Sequence, residues 1–167
     1  QCIDLLKTMS TTIRSKAPST KIMIHYAGVS ATDTNWFFTK VKSVDYDYIG
    51  LSYYPIWHGK GLATIKTTID ALGKNFSKKV LIAETAYPFT LGFNDWTNNI
   101  VGLDSQLVSG YPATAEGQKN FVLAIKDLVK SSTYGQGFAY WGGEWVSFKG
   151  NQATNGSTFE NQAFYDF

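Results

Sequence analysis

Short apolar runs alternate with helical patterns along this chain, and that alternation restricts its possible folds more than any other feature. The runs are Lys21 to His25, Tyr48 to Ser52, Lys79 to Ala83 and Gly137 to Tyr140. Each is short, aliphatic or aromatic, and lacks clear polar alternation, as expected of a buried strand. Helical stretches separate them. Ile3, Leu6, Met9 and Ile13 recur at helical spacing until Pro18 and Ser19 break the pattern. Asn35 to Val41 is a short helix candidate, and Leu62, Ile65, Ile69 and Leu72 form an apolar stripe. Thr114 is placed to cap a helix over Ala115 to Lys130, with Glu116 in its first turn and Phe121, Ile125 and Leu128 facing inward. The order α-β-α-β-α-β-α-β predicts a parallel sheet with covering helices.

Composition narrows the functional classes. A net charge of +2 with no basic run gives no reason to expect a nucleic-acid or anionic-membrane partner. No stretch approaches the roughly 18 apolar residues that membrane insertion needs. One cysteine, Cys2, excludes an internal disulfide. Neither a glycine-rich phosphate loop, a serine nucleophile elbow nor a zinc motif occurs, so no cofactor and no metal are expected. Asp95, Asn98, Asn99 and Asp104 have no dedicated Ca2+ spacing and read as a solvated loop. Aromatics reach 16%, which builds either a large aromatic core or a cleft where flat rings stack on sugars.

The residues after each run carry the chemistry. They are His25-Tyr26-Ala27-Gly28, then Ser52 to Gly59, then Glu84-Thr85-Ala86-Tyr87-Pro88, then Tyr140 to Trp145. In a parallel α/β fold these four strand ends converge on one rim. The long loop from Thr85 to Pro112 follows the third strand on that rim. Glu84 follows the apolar Val80-Leu81-Ile82-Ala83, so its carboxylate is expected to be partly desolvated. Such a group is either a structural partner of a Lys or Arg, or a functional one. Nearby Trp and Tyr residues point to glycoside hydrolysis, whose oxocarbenium-like transition state needs a negative partner and stacking surfaces. Glu144 either binds substrate or braces its loop. Glu160 is expected to anchor the tail, and Asp45 and Asp47 read as turn residues.

Together these strings resemble glycoside hydrolase family 53, the arabinogalactan endo-β-1,4-galactanases. The matching segments are Ile49 to Pro55 with Trp57-His58-Gly59, then Ala83 to Pro88, then Tyr111 to Thr114 running into Glu116-Gly117-Gln118. Tyr140-Trp141, Asn161-Gln162-Ala163 and Asp166-Phe167 complete the pattern. The resemblance implies a (β/α)8 TIM barrel, of which residues 1–167 hold roughly the C-terminal half, strands five to eight. It implies a retaining mechanism on β-1,4-linked galactan with Glu84 as nucleophile. Tyr53 or Tyr54 would hydrogen-bond it, and Trp141 would floor the sugar site. Trp57, His58 and Trp145 would line neighbouring subsites, and His25, Tyr87 and Glu144 complete the candidate substrate-contacting set.

Two departures accompany the resemblance. The family's acid/base Glu ends the fourth barrel strand, and no such strand precedes Gln1, whereas retaining hydrolysis needs two carboxyl groups about 5 Å apart. This chain alone is therefore expected to be inactive. Gly142-Gly143 stands where many members have Glu-Pro, and the segment after His25 lacks the Asp that many carry. A polymeric substrate implies a secreted, periplasmic or cell-surface enzyme. Two other readings remain open: a retaining barrel glycosidase for another β-glycan, and a non-catalytic half-barrel. The latter would bind sugar, pair with a missing N-terminal half or self-associate through its exposed strand edges.

Overall fold

The computed structural model describes residues 1–167. Helix α1 (Cys2–Lys16) precedes strand β1 (Met23–Tyr26), helix α2 (Ala31–Val41) and strand β2 (Tyr48–Ser52). A one-turn helix α3 (Pro55–His58) and helix α4 (Leu62–Phe76) lead to β3 (Lys79–Thr85). Helix α5 (Ala115–Lys130) and β4 (Gly135–Tyr140) follow, with short 3-10 turns at Asp104–Gln106 and Glu160–Gln162. The strands form one parallel sheet in the order β1-β2-β3-β4. This is the predicted alternation, with one added turn: Pro55, whose missing N–H costs nothing at a helix start, initiates α3. No helix is long and apolar enough to cross a membrane.

Local chemistry sets the helix starts. Thr114 caps α5, its hydroxyl accepting the Gly117 N–H at 3.0 Å. Ser30 does the same for α2 through the Asp33 N–H at 3.3 Å, so that helix begins four residues before the Asn35 expected from its pattern. The core lies between the sheet and its helices. Ile49, Leu51, Val80 and Ile82 from the strands are fully buried against Phe38, Ile65, Ile69, Phe121 and Ile125. Each such side chain contributes about 1.5–3 kcal/mol on burial.

Helix α1 follows its apolar pattern in part: Ile3 and Leu6 pack against the core and Ile13 is half-buried, but Met9 is 59% exposed and the one fully buried residue is Ser10. Polar contacts add to this anchoring. Ser10 donates to the Asp45 carbonyl, and Arg14 pairs with Asp45 at 2.7 Å and Asp47 at 2.9 Å. Asp47 also accepts the Ile22 N–H at 2.8 Å. These aspartates are therefore anchors rather than simple turn residues, and the Arg14 hydrogen bond holds the Asp45 carboxyl below its usual range.

The sheet face turned away from the helices carries Met23, Gly50 and Ala83. A Cβ on Gly50 would fall 2.8 Å from the Met23 sulfur and 3.3 Å from the Ala83 Cβ, so glycine lets these neighbours close over β2. On this face Met23 remains 42% exposed.

Candidate active site

A break in strand register places Glu84. Leu51 pairs with Ile82, but the next pair is Ser52 with Glu84, leaving Ala83 as an extra residue. The β3–β4 register shifts over the same stretch, between Ile82 and Thr85. Unbroken alternation would put Glu84 on the same side as the core residue Ile82. The bulge turns it instead to the open face beside Ser52, which is how bulges re-aim a side chain.

There the Glu84 side chain is 28% exposed. Its Oε2 accepts two hydroxyl protons, from Tyr54 at 3.1 Å and Ser52 at 3.2 Å. Ser52 Oγ also lies 2.8 Å from His25 Nε2, and His25 Nδ1 lies 3.9 Å from Glu84 Oε1. Within residues 1–167 Glu84 has no Lys or Arg among its ion pairs. Burial, and then the Glu84 charge, raise the Tyr54 phenol pKa, which keeps its O–H a donor. His58 fixes Tyr54 from the other side, its Nδ1 accepting the Tyr54 backbone N–H at 2.9 Å. Burial lowers the His58 pKa, in keeping with a ring nitrogen that accepts.

The aromatic residues divide into rim and core. Trp57 is 55% exposed and packs edge-on against Tyr54 at 5.2 Å. Trp57 and His58 border a groove of ≈ 560 Å³ that Tyr26 to Ala31 and the threonines Thr64, Thr67 and Thr68 also line. After β4, the Trp141 N–H donates to the Thr85 carbonyl at 2.9 Å, which seats Trp141 next to Glu84 in the chain order of the rim. Trp141 packs edge-on against Trp145 at 5.3 Å, and Trp145 against Phe159 at 5.4 Å. Trp145 and Glu144 border a second hollow of ≈ 510 Å³. The Glu144 side chain is exposed there and braces nothing by hydrogen bond or ion pair.

Two candidate sugar contacts are instead core residues. Tyr53 is wholly buried, donating to the Gly59 carbonyl at 2.9 Å. Tyr87 is 2% exposed, stacked on Phe121 at 4.1 Å. The Tyr87 hydroxyl donates to the Tyr111 carbonyl at 2.7 Å and accepts the Val108 N–H at 2.9 Å, pinning the long loop. Both rings pack against Phe121 of helix α5. Tyr54 alone of the tyrosine pair touches Glu84.

The sequence reading passed over Ser52, which stood inside a quoted motif without a role; its position one step out of phase with Leu51 was the available signal. It also missed Gln118 and Tyr140. Gln118 donates to the carbonyls of Tyr87 and Ala163, and the Tyr140 hydroxyl accepts the Tyr87 N–H while its single proton lies within reach of the Tyr87 and Gln162 carbonyls. Burial pushes the Tyr140 phenol up to about 12. The tail is thereby fastened beneath the rim. Glu160 is fully buried there and accepts the Asn94 N–H at 3.0 Å. Asp95 is only 4% exposed and accepts the Thr97 N–H, so it is not solvated as expected, whereas Asn98 and Asp104 are exposed. No group of three or more His, Cys, Asp or Glu side chains is gathered for a metal.

Comparison with known proteins places this geometry. The profile of glycosyl hydrolase family 53 matches residues 1–167. An arabinogalactan endo-beta-1,4-galactanase of Cellvibrio japonicus is 36% identical over 150 residues, covering 87% of this chain and 39% of that protein. The family 53 catalytic domain of Ignisphaera aggregans superposes with a TM-score of 0.87 at 33% identity, over 99% of this chain and 48% of that one. A fungal beta-1,4-galactanase superposes with a TM-score of 0.71 at 29% identity, over 86% of this chain and 44% of that one. The chain thus spans about half the length, or less, of the relatives it matches.

Proposed function

From the premise that this chain belongs to glycosyl hydrolase family 53, we propose that residues 1–167 form the C-terminal half of a (β/α)8 barrel that hydrolyses β-1,4-galactosidic bonds in galactan with retention. The observation that carries this reading is Glu84. It is held by two hydroxyl donors with no cationic partner among residues 1–167, while exposed Trp57 packs on its donor Tyr54 and exposed Trp141 is hydrogen-bonded to the next residue, Thr85. A carboxylate oriented by neutral donors keeps its negative charge available to a developing oxocarbenium ion.

The chemistry runs in two displacements. A Glu84 oxygen bonds to the anomeric carbon as the bond to the leaving sugar oxygen breaks. That oxygen keeps the electron pair and takes a proton from a carboxylic acid supplied by the other half of the barrel. Water then gives its proton to that carboxylate and its oxygen to the anomeric carbon, releasing Glu84. Trp141, Trp57 and Trp145 offer rings to the sugar, and export from the cytoplasm follows from a polymeric substrate.

A second reading, a half-barrel that assembles with another chain, is favoured by the exposure of Met23 on the open sheet face. Reducing-end release from β-1,4-galactan separates the two. The polypeptide carrying the upstream βα units is expected to be active, and its Glu84→Gln variant to lose at least roughly a thousandfold in kcat. Full activity of that variant would remove Glu84 from the mechanism.

A further inference from the structure

We propose that Ser52 and His25 are positioning residues that anchor Glu84 through Oε2 and leave Oε1 as the attacking oxygen. The proposal rests on the reading of Glu84 as nucleophile and assigns a task to each of its oxygens.

A carboxylate oxygen offers two lone-pair directions. Tyr54 and Ser52 both donate to Oε2, at 3.1 and 3.2 Å, and so occupy both of them. Within residues 1–167 no group donates to Oε1. Its neighbour His25 Nδ1 stands 3.9 Å away, beyond hydrogen-bond range. Of the two oxygens, Oε1 is therefore the one this half of the barrel leaves free.

The single proton of Ser52 goes to Oε2. The 2.8 Å contact between Ser52 Oγ and His25 Nε2 must then be donated by the imidazole N–H. The resulting chain, His25 N–H to Ser52 O–H to Glu84 Oε2, polarises each bond in turn. Ser52 is 2% exposed, so water cannot stand in for its hydroxyl. The fold holds all three members: β1 sets His25 opposite Gly50, two residues before Ser52, and the bulge sets Ser52 opposite Glu84. His25 is thus an orienting group in this structure rather than a sugar ligand.

Removing the anchor frees Glu84 to turn about its terminal bond, and a displacement of about 1 Å at a reacting atom costs roughly a hundredfold in rate. The test uses the full-length enzyme and an aryl β-galactoside with a good leaving group, followed in the pre-steady state. Ser52→Ala is expected to slow the galactosyl-enzyme step by roughly a hundredfold, with KM changed less than about threefold. His25→Ala is expected to lose roughly tenfold, and His25→Gln, whose amide N–H reaches the Nε2 position, to recover most of it.

Glu84→Ala with sodium azide is run beside them. Formation of the α-galactosyl azide supports Glu84 as nucleophile independently of its anchors. A folded Ser52→Ala with the wild-type rate, alongside that rescue, overturns the anchor while sparing the nucleophile. No azide product sinks the nucleophile reading and the anchor with it. Should Ser52→Ala not fold, equal rates for His25→Ala and His25→Gln overturn the proposal, and recovery by Gln supports it.

Discussion

Tyr53 and Tyr54 are neighbours in sequence and the same residue type, yet the sheet sends them to opposite faces. Tyr53 follows Leu51 into the helix-side core and stacks over Phe121. Tyr54 follows Ser52 to the open face and donates to Glu84. Removing each hydroxyl therefore has a different cost. Tyr53→Phe loses one buried hydrogen bond to Gly59, worth about 1 kcal/mol, and is expected to lower the melting temperature with little change in kcat. Tyr54→Phe is expected to leave the melting temperature nearly unchanged and to lower kcat by roughly tenfold or more, since it strips an oriented donor from the carboxylate proposed as nucleophile. Paired melting curves and galactan assays decide it; the reverse pattern would mean that the two rings had been assigned to the wrong faces.

Among the elements, the tail and the long loop after β3 behave as one unit. Asn161 donates from its side-chain amide to the carbonyls of Thr90 and Val101, and Glu160 accepts the Asn94 N–H. Burial raises the Glu160 pKa, with the Asp95 charge adding to it. A carboxyl whose folded pKa is raised binds its proton more tightly in the folded state. Its contribution is full below the unfolded pKa, about 4.3, and is lost as pH climbs through the higher folded value. Glu160→Gln keeps an acceptor for Asn94 and removes the titration. Its melting temperature is expected to exceed that of the wild-type chain at pH 8, with the gap closing towards pH 4. Thermal melts across that range check this, and a gap that widens on acidification would show that the buried carboxylate is held charged.

For the molecule as a whole, one layer is complete and the other is open. The helix-side core is closed by Ile49, Leu51, Val80 and Ile82 against the helices. On the other side Met23 is exposed, and on α1 Leu5 and Met9 are exposed as well, without being part of that face. An edge strand beside uncovered apolar residues is a template for pairing. Residues 1–167 alone are expected to self-associate with rising concentration, and Met23→Lys to weaken that association. Sedimentation of both chains over a concentration series tests it; a monomeric wild-type chain throughout would mean that the open face needs no cover.

Hydrophobic period and capping chemistry act over a few residues, and the sequence alone determined what they govern. Val80 to Ala83 reads as a strand because it is one, with Val80 and Ile82 buried and Leu81 and Ala83 half-buried, and Thr114 reads as a cap because a hydroxyl there meets the Gly117 N–H in any helix that starts at Ala115. The convergence of His25, Tyr54, Glu84 and Trp141 on one rim follows from parallel topology, which the alternation of elements already dictates. The family strings lie in the same segments. Other features depend on partners far apart in the chain. The bulge at Ala83 arises from the pairing of β3 with β2 and β4, and it decides that Glu84 faces the open side of the sheet rather than the core. The stacking of Tyr87 on Phe121 removes from the site a tyrosine that sequence placed in it. Asp45 and Asp47 become anchors only when Arg14 arrives from α1. Register between strands and the contacts of a buried ring are set by packing across the whole molecule, so tertiary structure decided them.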